Sequence, residues 1–367
     1  MTLDGLRRFA VARSLFKPGS LARAIEKLGF VQADPIRSPA RAQDLTLRHR
    51  VQDYRAGDLE RLYAALSIEE DVLVNYGFVS RRIHGLMHPR ARLRLPAAPR
   101  TRQDKVLAFV RDRGDMHPRE VDAHFSHGTV TNYWGGSSNA TTRLLEDLHY
   151  RGWLRVARRE RGVRVYAFRD LTAAASELSP GQRVDALVDV VVNKYAPLPA
   201  LSLSYVVGRL RYAVPQWRRL LNGALERARK RLAHQRVDGV EWYWPAGERL
   251  RGVPDDTVRL LAPFDPVVWD RRRFELFWGW PYRFEAYTPV ATRRFGYYAL
   301  PMLWRAEVIG WANLFVENGT LKPVFGYVAS TAPGDPIFAR ELEAEVERVR
   351  CFLAGSLRAQ SGHRIDR

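Results

Sequence analysis

Apolar positions along the chain recur in distinct periods. Near the start, Leu3, Leu6, Phe9 and Ala10 share one face of a helix that Thr2 can cap. After a Lys17-Pro18-Gly19 turn, Leu21, Ile25 and Leu28 repeat the pattern, with Ser20 as N-cap and Gly29 as stop. Phe30 to Asp34 reads as a short extended segment, and Pro35 biases Asp34 away from helix. A helix is expected to restart at Ser38-Pro39 and to carry Arg41, Arg48, His49 and Arg50. Another is expected over Asp58 to Asp71, with Leu59, Leu62, Tyr63 and Leu66 on its apolar face.

The middle of the chain has the clearest pattern. Leu95-Pro96-Ala97-Ala98-Pro99 reads as a linker. Helices are then predicted over Gln103 to Arg113, Pro118 to Phe125 and Asn139 to Arg151, the last stopped by Gly152. Trp153 to Ala157 and Arg164 to Phe168 alternate as strands around a basic tip, Arg158-Arg159-Glu160-Arg161-Gly162. Three helices followed by a basic hairpin is the order of a winged helix, whose wing either contacts phosphates or packs between domains. Val184 to Tyr195, Ser202 to Leu210 and Trp217 to Gln235 read as a third helical group, with Val240 to Trp244 a strand after it. The expected fold is α+β: tandem winged-helix domains with a C-terminal β-rich portion. The domain boundaries read as 1–95, 101–170 and 180–330, with a C-terminal helix and polar tail over 331–367.

Composition narrows the partner. Lys+Arg number 59 against Asp+Glu 40, a formal net charge of +19, and a polyanion such as nucleic acid is the first candidate. Only six of the basic residues are lysines (Lys17, Lys27, Lys105, Lys194, Lys230 and Lys322), so nearly all the charge is carried by the planar arginine fork that suits phosphate and stacks on bases. The single cysteine, Cys351, excludes an internal disulfide framework and a Cys-rich zinc site. The histidines of Arg81-Arg82-Ile83-His84 and His88-Pro89-Arg90 lack a carboxylate at ligand spacing and read as a basic surface turn, so no metal is expected. With no apolar leader or membrane-length run, the reading is a soluble cytoplasmic protein, nucleoid-associated and monomeric.

The candidate chemistry lies in Gln32-Ala33-Asp34. In an extended segment, alternate residues share a face, so an amide and a carboxylate stand side by side. Such a pair can hold a water and take its proton, although Gln and Asp before Pro also suit a turn or a cap. The run Leu3-Asp4-Gly5-Leu6-Arg7-Arg8, the stretch Gly29 to Pro35 and Asp58-Leu59-Glu60-Arg61-Leu62 resemble the N-terminal domain of the YcaQ-like (AlkZ/AlkX) winged-helix DNA glycosylases. Val258 to Arg271 and Arg294 to Pro301 carry the same resemblance at the other end. In that family the catalytic signature is Gln, an apolar residue, then Asp or Gln, which here is Gln32-Ala33-Asp34. Where the family has His-Glu-Ala, this chain has Ile68-Glu69-Glu70, so Glu69 matches as a substrate-site support and the histidine does not. Near Gly310, Trp311 and Asn313 stand where the family often has a basic and an acidic residue.

The resemblance implies a monofunctional, cofactor-free DNA repair glycosylase acting on N7-alkylated purines in double-stranded DNA, with interstrand crosslinks as a further substrate it raises. Asp34 and Gln32 are the catalytic candidates. Arg37, Arg41, Arg48, Arg50, Thr141, Arg143, Arg158, Arg159 and Arg161 are the DNA-binding candidates, several of which equally suit a solvated basic face. A non-catalytic winged-helix transcriptional regulator is the alternative. Asp265 before Pro266 reads as a turn residue, Asp270 as a paired charge or helix cap, and Tyr287, Tyr297 and Tyr298 as core or strand residues rather than a base-stacking platform.

Overall fold

The computed structural model describes residues 2–91, 100–131, 136–169, 177–249 and 252–361. The linker expected at 95–99 and the end of the polar tail lie outside them. The elements run α1 (Leu3–Ser14), α2 (Leu21–Leu28), β1 (Phe30–Gln32), α3 (Ala42–Leu47), α4 (Asp58–Leu62), β2 (Ile68–Val72), β3 (Tyr76–Ser80), α5 (Arg81–Met87), α6 (Arg102–Arg113), α7 (Pro118–Phe125), β4 (Thr129–Thr131), β5 (Ser137–Asn139), α8 (Ala140–Arg151), β6 (Leu154–Glu160) and β7 (Val163–Phe168). They continue with α9 (Pro180–Tyr195), β8 (Leu198–Pro199), α10 (Ala200–Arg209), α11 (Leu221–Arg231), β9 (Ala233–Val237), β10 (Val240–Trp244), β11 (Val258–Leu260), α12 (Arg271–Trp278), β12 (Leu300–Trp304), β13 (Glu307–Glu317), β14 (Thr320–Tyr327) and α13 (Pro336–Ser361). No helix among the described residues is long and apolar enough to cross a membrane.

Two compact units share the chain. One comprises 1–59, 188–208 and 225–367, the other 60–187 and 209–224. The segments read as 1–95 and 180–330 therefore contribute to both, 101–170 lies within the second and 331–367 within the first, and α9 contains a boundary.

In the first unit, both ends of the chain share a core. Thr2 caps α1 by accepting from the Gly5 N–H at 3.2 Å. Val11 of α1 packs with Leu261, Val267, Val268, Phe274, Trp280, Tyr282, Phe295 and Leu303, all buried. Strands β11 to β14 form one antiparallel sheet in sequence order. Strands β8, β10 and β9 form another, with β10 central. The helix expected to reach Gln235 stops at Arg231, because His234 and Gln235 pair with Tyr243 and Trp242 in the β9–β10 hairpin.

The second unit contains the helix, helix, helix, hairpin order of 101–170, with α6, α7 and α8 close to the predicted limits. Thr101 and Asp104 form a capping box on α6, and Asn139 caps α8. A short β4–β5 hairpin, unanticipated from the sequence, precedes α8. The helix expected over Asp58 to Asp71 is also corrected: it ends at Leu62, and Ile68–Val72 pairs with Tyr76–Ser80 as a hairpin. Ile68 and Val72 are β-branched, and burial on both faces of β2 suits a strand better than a helix with one apolar stripe.

Candidate active site

Gln32 ends β1 and is buried. Its Oε1 accepts from the Trp269 indole N–H at 3.0 Å. An indole N–H can only donate, so the amide orientation is fixed: oxygen toward Trp269, with the NH2 left to donate elsewhere. Trp269 is itself placed by a turn built on Asp265. The Asp265 carbonyl accepts from the Val268 and Trp269 N–H groups at 2.9 and 2.8 Å. The Asp265 carboxylate accepts from the Val267 N–H at 3.0 Å and takes both arms of the Arg50 guanidinium, at 2.7 and 3.0 Å. The Tyr195 ring stacks on Trp269 with centroids 4.5 Å apart. A fully buried Arg273 donates to the carbonyls of Tyr195, Pro266 and Val267, tying the stack to the turn.

Asp34 lies just beyond the strand rather than within it. Its N–H donates to Gln43 Oε1 at 3.3 Å, and its Oδ1 accepts from the Ile36 N–H at 2.9 Å, an Asx turn before the chain leaves the site. No described residue bonds its other carboxylate oxygen. The side chain is half-buried, and burial pushes its carboxyl above the ordinary aspartate value of 3.8, only partly offset by the Ile36 bond. Asp44, by contrast, is committed: it accepts from the Tyr54 hydroxyl at 2.7 Å and the Gly57 N–H at 3.2 Å. The pair thus combines an oriented amide with a carboxylate of raised basicity that keeps one oxygen open, the needs of a site that activates water.

The DNA-binding candidates divide sharply. Arg37 is exposed, and Arg41 is half-buried at the N-terminus of α3. Arg143 is exposed beside Glu146 at 3.5 Å, Arg158 is exposed but paired with Asp115 and Glu160, and Arg161 is exposed at the wing tip. Four assignments are corrected. Arg50 is fully buried on Asp265. Arg48 is buried against Glu345 at 2.5 Å and the Leu260 carbonyl at 2.9 Å. Thr141 is buried and donates to Asp122 at 2.7 Å. Arg159 grips the buried Glu70 with two bonds, at 2.7 and 2.6 Å. Each is held inside the protein by an internal acid, which takes it away from a phosphate.

Glu69 is likewise buried, with Arg81, Arg155 and Arg169 around its carboxylate at 3.4, 3.3 and 3.0 Å. The basic surface turn at 81–90 is another correction. His84 and His88 are buried, stacked on each other, and bonded to Asp71 at 3.0 and 2.6 Å. The missing carboxylate comes from β2, too far away in sequence for a spacing rule to find. The ligand atoms of these three residues lie within 4.8 Å of one another. Arg90 donates to the other Asp71 oxygen at 2.7 Å, however, so both carboxylate oxygens are in use beside a fixed cation.

Sequence reasoning placed Asp265 in a turn and Asp270 at a helix cap, and both are so: Asp270 accepts from the Arg273 N–H at the start of α12. It missed Trp269 and Gln43 as partners of the motif. Trp269 stood inside a stretch that drew attention only by its resemblance. Of the three tyrosines, Tyr298 is buried, but Tyr287 is 78% exposed and Tyr297 39%.

The family model described as AlkZ-like DNA glycosylase matches residues 25–352, a span that contains both Gln32 and Asp34. The solved structure of the Streptomyces sahachiroi DNA glycosylase AlkZ is similar in fold. It aligns with 96% of this chain and 97% of its own at a TM-score of 0.63 and 14% identity.

Proposed function

The chain belongs to the AlkZ-like DNA glycosylases, and from that premise we propose that it hydrolyses the N-glycosidic bond of N7-alkylated purines in duplex DNA, with Asp34 and Gln32 as its catalytic pair. A base alkylated at N7 is already cationic. When its bond to C1′ breaks, the electron pair neutralises the base, so no acid is needed to protonate the leaving group. What remains is an oxocarbenium-like sugar that a carboxylate stabilises and a water attacks. Asp34 takes the water proton and faces the developing cation, and the Gln32 NH2 holds the water oxygen. The reaction is monofunctional, since water rather than an amine is the nucleophile. The same chemistry extends to an interstrand crosslink joined through N7 of a purine.

The observation that carries this reading is the fixed amide of Gln32 two residues from a half-buried carboxylate with raised basicity. The test is incubation with a duplex bearing N7-methylguanine, scored for abasic sites. Asp34→Asn keeps the shape and the Ile36 bond while removing the base. It should lower excision about 10²–10⁴-fold, the scale of a positioned general base, and leave DNA affinity within a few-fold. Gln32→Ala should be impaired less. Excision by Asp34→Asn at the parental rate removes the mechanism. Parental protein that binds DNA but excises nothing from any N7-alkylated duplex leaves a DNA-binding regulator.

A further inference from the structure

We propose that Tyr287, at the tip of the loop between α12 and β12, is a nucleobase-stacking residue of the same site, placed on a rigid arm to contact the lesion or the base beside it. The inference rests on Asp34 marking where the damaged nucleotide is handled.

The loop is built rather than loose. Glu285 is buried, and its carboxylate accepts from the Arg294 N–H at 2.9 Å and the Phe295 N–H at 2.7 Å, closing the two ends of the loop on one side chain. Arg293 donates to the Thr288 carbonyl at 2.8 Å across it. Behind it, Asn313 of β13 donates to the Phe295 carbonyl at 2.7 Å. Gly296 lies so close to Asn313 that a Cβ would stand 2.5 Å from the amide, and its φ of +109° suits glycine alone. The tip residues gain nothing from this framework in burial: Tyr287 is 78% exposed and Val290 77%. An aromatic ring held in water on a stapled loop contributes little to folding and is free to bury itself against a partner.

Two further observations identify that partner. The Phe284 ring makes T-shaped contacts with both Tyr287, at 6.0 Å between centroids, and the buried Tyr298, at 5.3 Å. After burial, the Asp34 charge is the largest influence pushing the hydroxyl of each of these two tyrosines upward. The exposed ring therefore stands within the field of the candidate catalytic carboxylate. Around it, Arg283 and Arg294 are exposed, and Arg293 lies over the Tyr297 ring at 5.2 Å. Exposed aromatics interleaved with arginines match the two surfaces of a nucleic acid: ring faces for bases and guanidinium groups for phosphates.

The experiment measures affinity for a duplex bearing N7-methylguanine and for the undamaged duplex, with every variant on the Asp34→Asn background so that substrate is not consumed. Tyr287→Ala should weaken binding to the damaged duplex by about 5- to 150-fold, the range alanine substitution reveals for one stacked base. Tyr287→Phe keeps the ring and should bind within twofold. Tyr287→Leu keeps an apolar side chain against Phe284 without a π face and should behave as the alanine variant does. Unchanged affinity in Tyr287→Ala, or equal losses in Phe and Ala, overturns the proposal. So does parental affinity in Tyr287→Leu, which would assign the side chain to loop packing. If Asp34→Asn excises normally while Tyr287→Ala binds poorly, the site reading fails and the stacking role stands.

Discussion

At Asp34 the proposed role comes with a cost in stability. Burial raises its carboxyl pKa above 3.8, so the folded chain holds the proton more tightly than the unfolded chain does. Below pH 3.8 the group is protonated in both states, and the neutral form costs nothing. As the pH rises from 3.8 through the raised folded value, the unfolded state loses its proton first, and stability falls until both states are ionised. Asp34→Asn should therefore melt higher than the parent at neutral pH and show no difference below pH 3.8. Excision by the parent should have an acid limb centred above 3.8, because the base works only when ionised. Melting curves and single-turnover rates at several pH values check both. Coincident melting at all pH values would mean that Asp34 is not held at a cost. The residue pair was singled out in the sequence by its two-residue spacing together with the family resemblance around it. Its supports were not: Trp269 and Asp265 lie more than 200 positions from the residues they bond. Nothing local in Arg50 tells a buried anchor from a surface cation.

At the scale of elements, periodicity located α6, α7 and α8 because each buries one apolar stripe and carries its own cap. It failed over Ile68–Val72, where Glu69, Glu70 and Asp71 are all buried and the polar residues give no outward face to count. Those acids are paid for by arginines from distant elements, and this changes what the wing does. Burial pushes the Glu70 carboxyl up, but the bonds and charge of Arg159, with Tyr76 and Arg164, outweigh it and hold it below the ordinary 4.5. Arg159 thus fastens the β6–β7 hairpin to the β2–β3 hairpin, while Arg158 and Arg161 remain on its exposed side. Reversing Arg158 and Arg161 together should weaken DNA binding and leave the melting temperature within a degree or two. Arg159→Glu should instead destabilise the fold by about 3–5 kcal/mol, the loss expected when one partner of a buried pair is removed. Thermal melts beside binding titrations separate the two. If Arg159→Glu melts normally, the pair is not a fastening.

At the scale of the whole molecule, a net charge of +19 overstates the charge available to DNA. Arg48, Arg50, Arg90, Arg183 and Arg273 are buried or nearly so and donate to carboxylates or backbone carbonyls. They organise the interior and release no counterions from a phosphate backbone. Only exposed cations such as Arg37, Arg143, Arg161, Arg283 and Arg294 are available for that. The affinity for duplex DNA should therefore fall linearly on a log–log plot against salt, with a slope of about 0.9 per phosphate neutralised. That slope should report far fewer phosphates than the net charge suggests. Replacing Arg161 by Ala should reduce the slope by about one if the wing meets a phosphate. Arg50→Lys, which keeps the charge but loses the two-armed grip on Asp265, should leave the slope unchanged and lower excision by loosening the turn that carries Trp269. A flat salt response would remove DNA as the partner. A slope altered by Arg50→Lys but not by Arg161→Ala would mean that the division between interior and DNA-facing arginines has been drawn the wrong way round.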